Sequence, residues 1–130
     1  MATWENLTDF VRSEYEVIKD TDDELRILIE YEDGRSQVII IAHEILDGRE
    51  DWVQVASICG LVADVDLKRF LEEIGQTSVV CGAVIMGEHL VLRHALPLEN
   101  LDINEFTDPL TFVADTADHL EEFFFGGDGY

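Results

Sequence analysis

Ser36-Gln37-Val38-Ile39-Ile40-Ile41-Ala42-His43 is the stretch on which the fold turns. Its β-branched centre favours extended backbone. It does not alternate: apolar side chains occupy both parities from Val38 to Ala42, whereas a strand with one wet face alternates apolar with polar. The segment from Val79 to Met86 has the same character. Both faces of the sheet centre are therefore expected to be covered, by the chain's own helices, by a second subunit or by a bound client.

Working outward, Leu25, Ile27, Ile29 and Tyr31 alternate with Arg26, Leu28 and Glu30, the period of a strand. Asp33-Gly34 joins this strand to the first, because Gly tolerates the positive φ of a tight turn. After the loop Asp47-Gly48-Arg49-Glu50-Asp51, a third strand runs from Trp52 to Ile58, antiparallel because the connection is short. Ahead of the hairpin, Trp4, Leu7, Val11, Tyr15 and Ile18 recur at helical steps beside Phe10, with Thr3 as N-cap. Asp20-Thr21-Asp22-Asp23 breaks that helix.

A second helix opens at Asp64-Val65-Asp66, carries Val65, Leu67, Phe70, Leu71 and Ile74, and is expected to end at Gly75. Strands from Thr77 to Met86 and from His89 to Leu96 meet at Gly87-Glu88, and Pro97 stops the second. Asn100-Leu101-Asp102 leads into a last helix with Phe106, Leu110, Val113, Ala114, Ala117, Leu120 and Phe124 on its apolar stripe. Pro109 belongs either in a first turn capped by Asp108 or at a kink. The order α-β-β-β-α-β-β-α gives an α+β fold, an antiparallel sheet flanked by helices. Residues 1–125 read as one domain and residues 126–130 as a flexible tail.

Charge sets the exclusions. The 130 residues hold 29 acidic and 8 basic side chains, a net charge of -21, yet 47% are hydrophobic. That hydrophobic share takes the chain out of the disordered class, so the charge must coat a real core. Nucleic acid and anionic membranes attract Lys and Arg and are excluded as partners. No basic stretch leads into an apolar run at Met1-Ala2-Thr3-Trp4-Glu5, so no secretory signal is expected and the cytoplasm is. Cys59 and Cys81 then read as buried free thiols. With lysine only at Lys19 and Lys68, the acidity also fits a high-salt habitat, where repulsion is screened.

Catalytic and metal chemistries find little purchase. His89 and His94, five residues apart, fall on opposite faces of one strand, and His43 and His119 are isolated, so no zinc pairs form. Asp102-Ile103-Asn104 begins like a calcium loop, but Thr107 and Val113 stand where Gly and Glu are required. Ser13, Ser36, Ser57 and Ser78 lie in no nucleophile elbow, and Lys19 and Lys68 follow no phosphate loop. No cofactor, metal or catalytic residue is expected. The surplus apolar residues Ile39, Ile41, Trp52, Phe70, Val80 and Val84 are the expected partner or dimer surface.

The segment Val91-Leu92-Arg93-His94-Ala95-Leu96-Pro97-Leu98-Glu99-Asn100-Leu101-Asp102 is followed by a helix with Val113-Ala114-Asp115 and Ala117-Asp118-His119-Leu120-Glu121-Glu122. Together they resemble the YbjN family of the type III secretion chaperone-like superfamily. The hairpin Asp33-Gly34-Arg35-Ser36-Gln37-Val38 and the Trp52 strand fit the same pattern, so the resemblance spans residues 5–125. It implies a fold without a catalytic site. In secretion chaperones it further implies a homodimer that holds an unfolded stretch of client in apolar grooves; YbjN-like proteins are grouped as regulators. The expected function is a non-enzymatic protein- or peptide-binding module, chaperone-like or regulatory. The alternatives are a subunit of a stable hetero-complex and an enzyme using the acidic surface or His94. An acidic coat would favour basic clients.

Overall fold

The computed structural model describes residues 3–78 and 80–126. Helix α1 spans Trp4–Glu14. The Thr3 hydroxyl accepts from the Asn6 amide at 3.1 Å, while the Asn6 side chain accepts from the Thr3 amide at 3.2 Å. Two otherwise orphaned helix donors are thereby satisfied. The helix stops a turn earlier than its apolar spacing implies. Val17 and the β-branched Ile18 belong instead to an additional strand, β1 (Glu16–Asp20), drawn out of helical backbone by pairing with its neighbour.

The remaining elements are β2 (Glu24–Glu30), β3 (Ser36–Leu46), β4 (Glu50–Leu61), a 3-10 turn (Val62–Asp64), α2 (Leu67–Thr77), β5 (Gly82–Met86), β6 (His89–Pro97), α3 (Ile103–Leu120) and a π-helical turn (Glu121–Phe125). The fold is α+β, with one strand more than expected. Among the described residues the six strands form a single antiparallel sheet in the order β1-β2-β3-β4-β6-β5.

Two boundaries differ from the sequence reading. Helix α2 runs through Gly75 to Thr77, whose hydroxyl donates to the Glu73 carbonyl at 2.8 Å. The expected strand from Thr77 is thus shortened to Gly82–Met86; Val79 lies outside the described residues. Pro109 falls beyond the first turn of α3, which Asp102 opens through a capping box with Glu105. The expected mobile tail lies, from residue 127 onward, outside the described residues.

The β2–β3 turn fixes the register. Tyr31 donates its amide to the Arg35 carbonyl at 2.8 Å, and Gly34, at φ 86°, donates to the Tyr31 carbonyl at 3.1 Å. This makes a three-residue loop, Glu32-Asp33-Gly34, with its last residue in the left-handed region that Gly occupies at least cost. Ile27 is thereby set opposite Ile39 and Leu25 opposite Ile41.

These four side chains are fully buried, and they share one sheet face with Val53, Val55, Leu90 and Leu92. All three helices pack on that face. Leu7 and Val11 of α1, Phe70 and Ile74 of α2, and Phe106, Leu110, Val113, Ala117 and Leu120 of α3 join one core cluster with the strand residues. Each large apolar side chain so buried contributes about 1.5–3 kcal/mol. Of the three ways in which both faces could be covered, the chain's own helices supply only one face. All three helices pack on that one face, and among the described residues none lies on the other.

The C-terminal end of α3 is locked to the hairpin and to β4. Arg35 pairs with Asp118 at 3.0 Å and Glu122 at 3.3 Å, and the Tyr31 hydroxyl donates to Asp115 at 3.0 Å. Burial, followed by that hydrogen bond and the charge of Asp115, pushes the Tyr31 phenol above its ordinary value. In the π-helical turn, Phe124 packs against Phe70 with ring centroids 5.3 Å apart. Phe125 lies over Gly60, at a register shift in β4. A Cβ at Gly60 would sit 2.5 Å from the Phe125 ring. Gly60→Ala should cost about 1–3 kcal/mol through overpacking, read as a lower urea midpoint, and Phe125→Ala in the same background should remove most of the additional penalty.

Candidate functional site: the open face of the sheet

Successive strand residues point to opposite faces, so the register that buries Ile39 and Ile41 presents Val38, Ile40 and Ala42 on the helix-free side. On this side Leu28 lies opposite Val38, and Val91 lies between Ile58 and Val84. A second cross-strand row runs Lys19, Arg26, Ile40, Ala56, Arg93, Gly82. A third runs Glu24, Ala42, Gln54, Ala95. Ala56 and Val91 are only 3% and 4% exposed and form a floor, although neither belongs to the helix-covered core. Leu28, Val38, Ile40, Ile58 and Val84 are half-buried by one another and likewise lie outside that core. The result is a continuous apolar surface on the sheet.

Its electrostatics differ from those of the rest of the chain. The acids on this face, Glu16, Glu24, Glu30, Glu44 and Glu50, occupy strand ends, with Glu16 opposite Leu28 and Glu24 opposite Ala42. Glu24 accepts from Arg26 at 2.6 Å and meets Lys19 at 3.5 Å. Partial burial pushes the Glu24 carboxyl up, but the Arg26 hydrogen bond and the two nearby cations outweigh it and hold the group below its ordinary value. Glu24 therefore stays ionised and neutralises one of the two cations. Arg93, exposed, donates to the Gln54 side-chain oxygen at 3.4 Å.

The six residues expected to form the partner surface divide. Ile39, Ile41 and Phe70 are each 0% exposed and belong to the helix-covered core, so they are not available to a partner. The parity of the β2–β3 register places the two isoleucines there, and the packing of α2 places Phe70. Val84 is on the open face, half-buried against Val91. Trp52 is on the same face but at its far end, opposite Pro97, where it lines a cleft of about 380 Å³ with Arg49, Asp51 and Glu99. Val80 sits in a bend before β5. Sequence reasoning missed Leu28, Val38, Ile40, Ile58 and Val91, together with the cationic row. The signal that Val38 and Ile40 line a surface was present in the apolar run, but nothing local says which parity faces the helices.

Other reactive groups are accounted for elsewhere. His43 stacks on Trp4, with ring centroids 5.1 Å apart, and lies 2.9 Å from Asp51. His89 and His94 pair with Met86 and Val55 on opposite faces. Among the described residues, no three His, Cys, Asp or Glu side chains converge as a metal site would require. Cys59 and Cys81 are buried and free. Burial, and after it the charge of Glu121, pushes the Cys59 thiol up to about 12, away from the thiolate that reacts. No helix among the described residues is long and apolar enough to cross a membrane. In comparisons with known proteins, no family model matches the chain and no curated protein matches it.

Neighbouring residues on opposite faces should respond differently to truncation. Ile39→Ala empties a core site and should cost about 2–5 kcal/mol. Ile40→Ala removes atoms from an open surface and should cost less than about 1 kcal/mol. Urea denaturation of both variants decides, and equal costs would mean that the two faces are equally covered.

Proposed function

We propose that the chain is a non-enzymatic protein- or peptide-binding module, chaperone-like or regulatory in the manner of the YbjN type, with the type III secretion chaperone-like fold its sequence resembles. The observation that carries the reading is the open sheet face: Leu28, Val38, Ile40, Ile58 and Val84 lie together on a chain of net charge -21, with the acids of that face at the strand ends. An apolar patch rimmed by polar residues on a strongly charged protein marks a place that is covered in use. The two buried free thiols fit a reducing compartment, the cytoplasm.

The same module works as a homodimer, and the sheet edges favour one route. Edge strand β1 carries Glu16, Lys19 and Asp20 and a register shift, devices that discourage pairing. Edge strand β5, Gly82-Ala83-Val84-Ile85-Met86, has no charge and no proline, and its Ile85 and Met86 are exposed. Pairing of two copies along β5 would satisfy its free backbone groups and leave the open face available.

Two measurements test the reading. A chemically denatured test protein diluted from urea should stay soluble in the presence of the wild-type chain and aggregate in the presence of Ile40→Glu, which should remain folded by circular dichroism. Retained protection by Ile40→Glu would remove the open face as the site. Light scattering at micromolar concentration should give a dimer that Ile85→Asp reduces to a monomer; a monomeric wild type would refute the dimer.

A further inference from the structure

Resting on the reading of the open face as a binding surface, we infer that its partner is an amphipathic helix whose polar flank is acidic. Backbone chemistry gives the first half. A sheet face, unlike an edge, offers no free N–H or C=O groups, because the ladders consume them. A segment laid on Ile40, Ile58 and Val84 must therefore satisfy its own backbone, which a helix does and an extended segment does not.

Charge gives the second half. Three of the chain's eight basic residues, Lys19, Arg26 and Arg93, stand in the single row that crosses this face at Ile40 and Ala56. Glu24 neutralises one of the Lys19–Arg26 pair and leaves one positive charge. Among the described residues no carboxylate lies within ion-pair reach of Arg93. That row thus carries net positive charge, with the other acids of the face at strand ends, in a protein of net charge -21. An apolar helix settling here strips water from the Arg93 guanidinium and from the one charge that Glu24 leaves uncompensated on Lys19 and Arg26, which is costly unless the helix brings opposite charge. A basic flank would add like-charge repulsion at the same point.

The geometry sets a spacing. Arg26 and Arg93 stand on β2 and β6, three strand intervals apart, or about 14 Å. A helix crossing the strands brackets that distance with acids about seven or eleven residues apart on one face. The acid coat elsewhere discourages such a helix, which confines it to this face. The partner is therefore acidic, where overall charge alone points to a basic one.

The test uses the full chain and two synthetic eighteen-residue amphipathic peptides with identical leucine faces, one with a Glu/Gln polar face and one with Lys/Gln. The Glu peptide should shift the methyl resonances of Ile40, Ile58 and Val84, and Arg93→Glu should weaken its binding by about tenfold or more. Arg93→Gln, which removes the charge without reversing it, should give a smaller loss. The Lys peptide should bind the acidic surfaces without moving those methyls. If the Lys peptide occupies the face as tightly, or Arg93→Glu leaves the Glu peptide unaffected, the acidic specificity is refuted while the binding surface stands. If neither peptide moves the methyls, both fail. If Ile40→Glu converts a wild-type dimer to a monomer, the face belongs to a second copy and the inference is overturned.

Discussion

The three-residue turn between β2 and β3 is the constraint from which the rest of the molecule follows. With Gly34 in the left-handed region and Tyr31 bonded to Arg35, Ile27 is held opposite Ile39. A two-residue loop centred on Asp33-Gly34 would shift the pairing by one and place Ile27 opposite Ile40. Because side chains alternate along a strand, such a shift exchanges the two faces of β3. The turn therefore decides that Leu25, Ile27, Ile39 and Ile41 meet the helices, and that Leu28, Val38 and Ile40 meet solvent. Arg35, immediately after the turn, then reaches Asp118, and Tyr31 reaches Asp115. The hairpin that sets the register is itself held by α3.

The distribution of charge follows from the same division. An open apolar sheet face invites nonspecific association, and a surface of twenty-nine acids against eight bases opposes it by mutual repulsion. Acids at the strand ends frame the open face, and one of them, Glu24, is held ionised by its cationic neighbours. Charge repulsion and an open apolar face can coexist because the acids sit at the strand ends and the apolar rows between them. The row at Lys19, Arg26 and Arg93 gives that face a local positive charge that net charge conceals.

On the covered side, closure depends on the C-terminal segment. Leu120 belongs to the core that α3 builds with the sheet, and the π-helical turn that follows carries Phe124 onto Phe70 and Phe125 onto Gly60. The register shift in β4 and the missing side chain at Gly60 let a phenyl ring approach the strand backbone. Strand, α2 and the end of α3 are thereby fastened at one point.

Much of this was legible in the sequence because it is local. The Thr3 cap, the Gly34 turn, the apolar stripe of α3 and the antiparallel hairpins all rest on side chains a few residues apart, acting on their own backbone. The short strand β1 was hidden because Tyr15 and Ile18 continue the helical spacing of α1, while only pairing with β2 makes the segment extended. The surface was half legible. The doubled apolar parity of Val38 to Ala42 showed that more was apolar than one core face needs, but both parities look alike, and Ile39 and Ile41 were the pair that turned inward. The cationic row was not legible at all. Lys19 and Arg26 meet only through the pairing of β1 with β2, and Arg93, distant in the chain, joins their row only because β6 pairs with β4. Composition and periodicity by themselves determined an acidic, folded α+β chain with surplus apolar strands. Which of those residues remain outside, and which charges stand beside them, was decided by register and strand order, properties of pairing between distant segments that no single stretch contains.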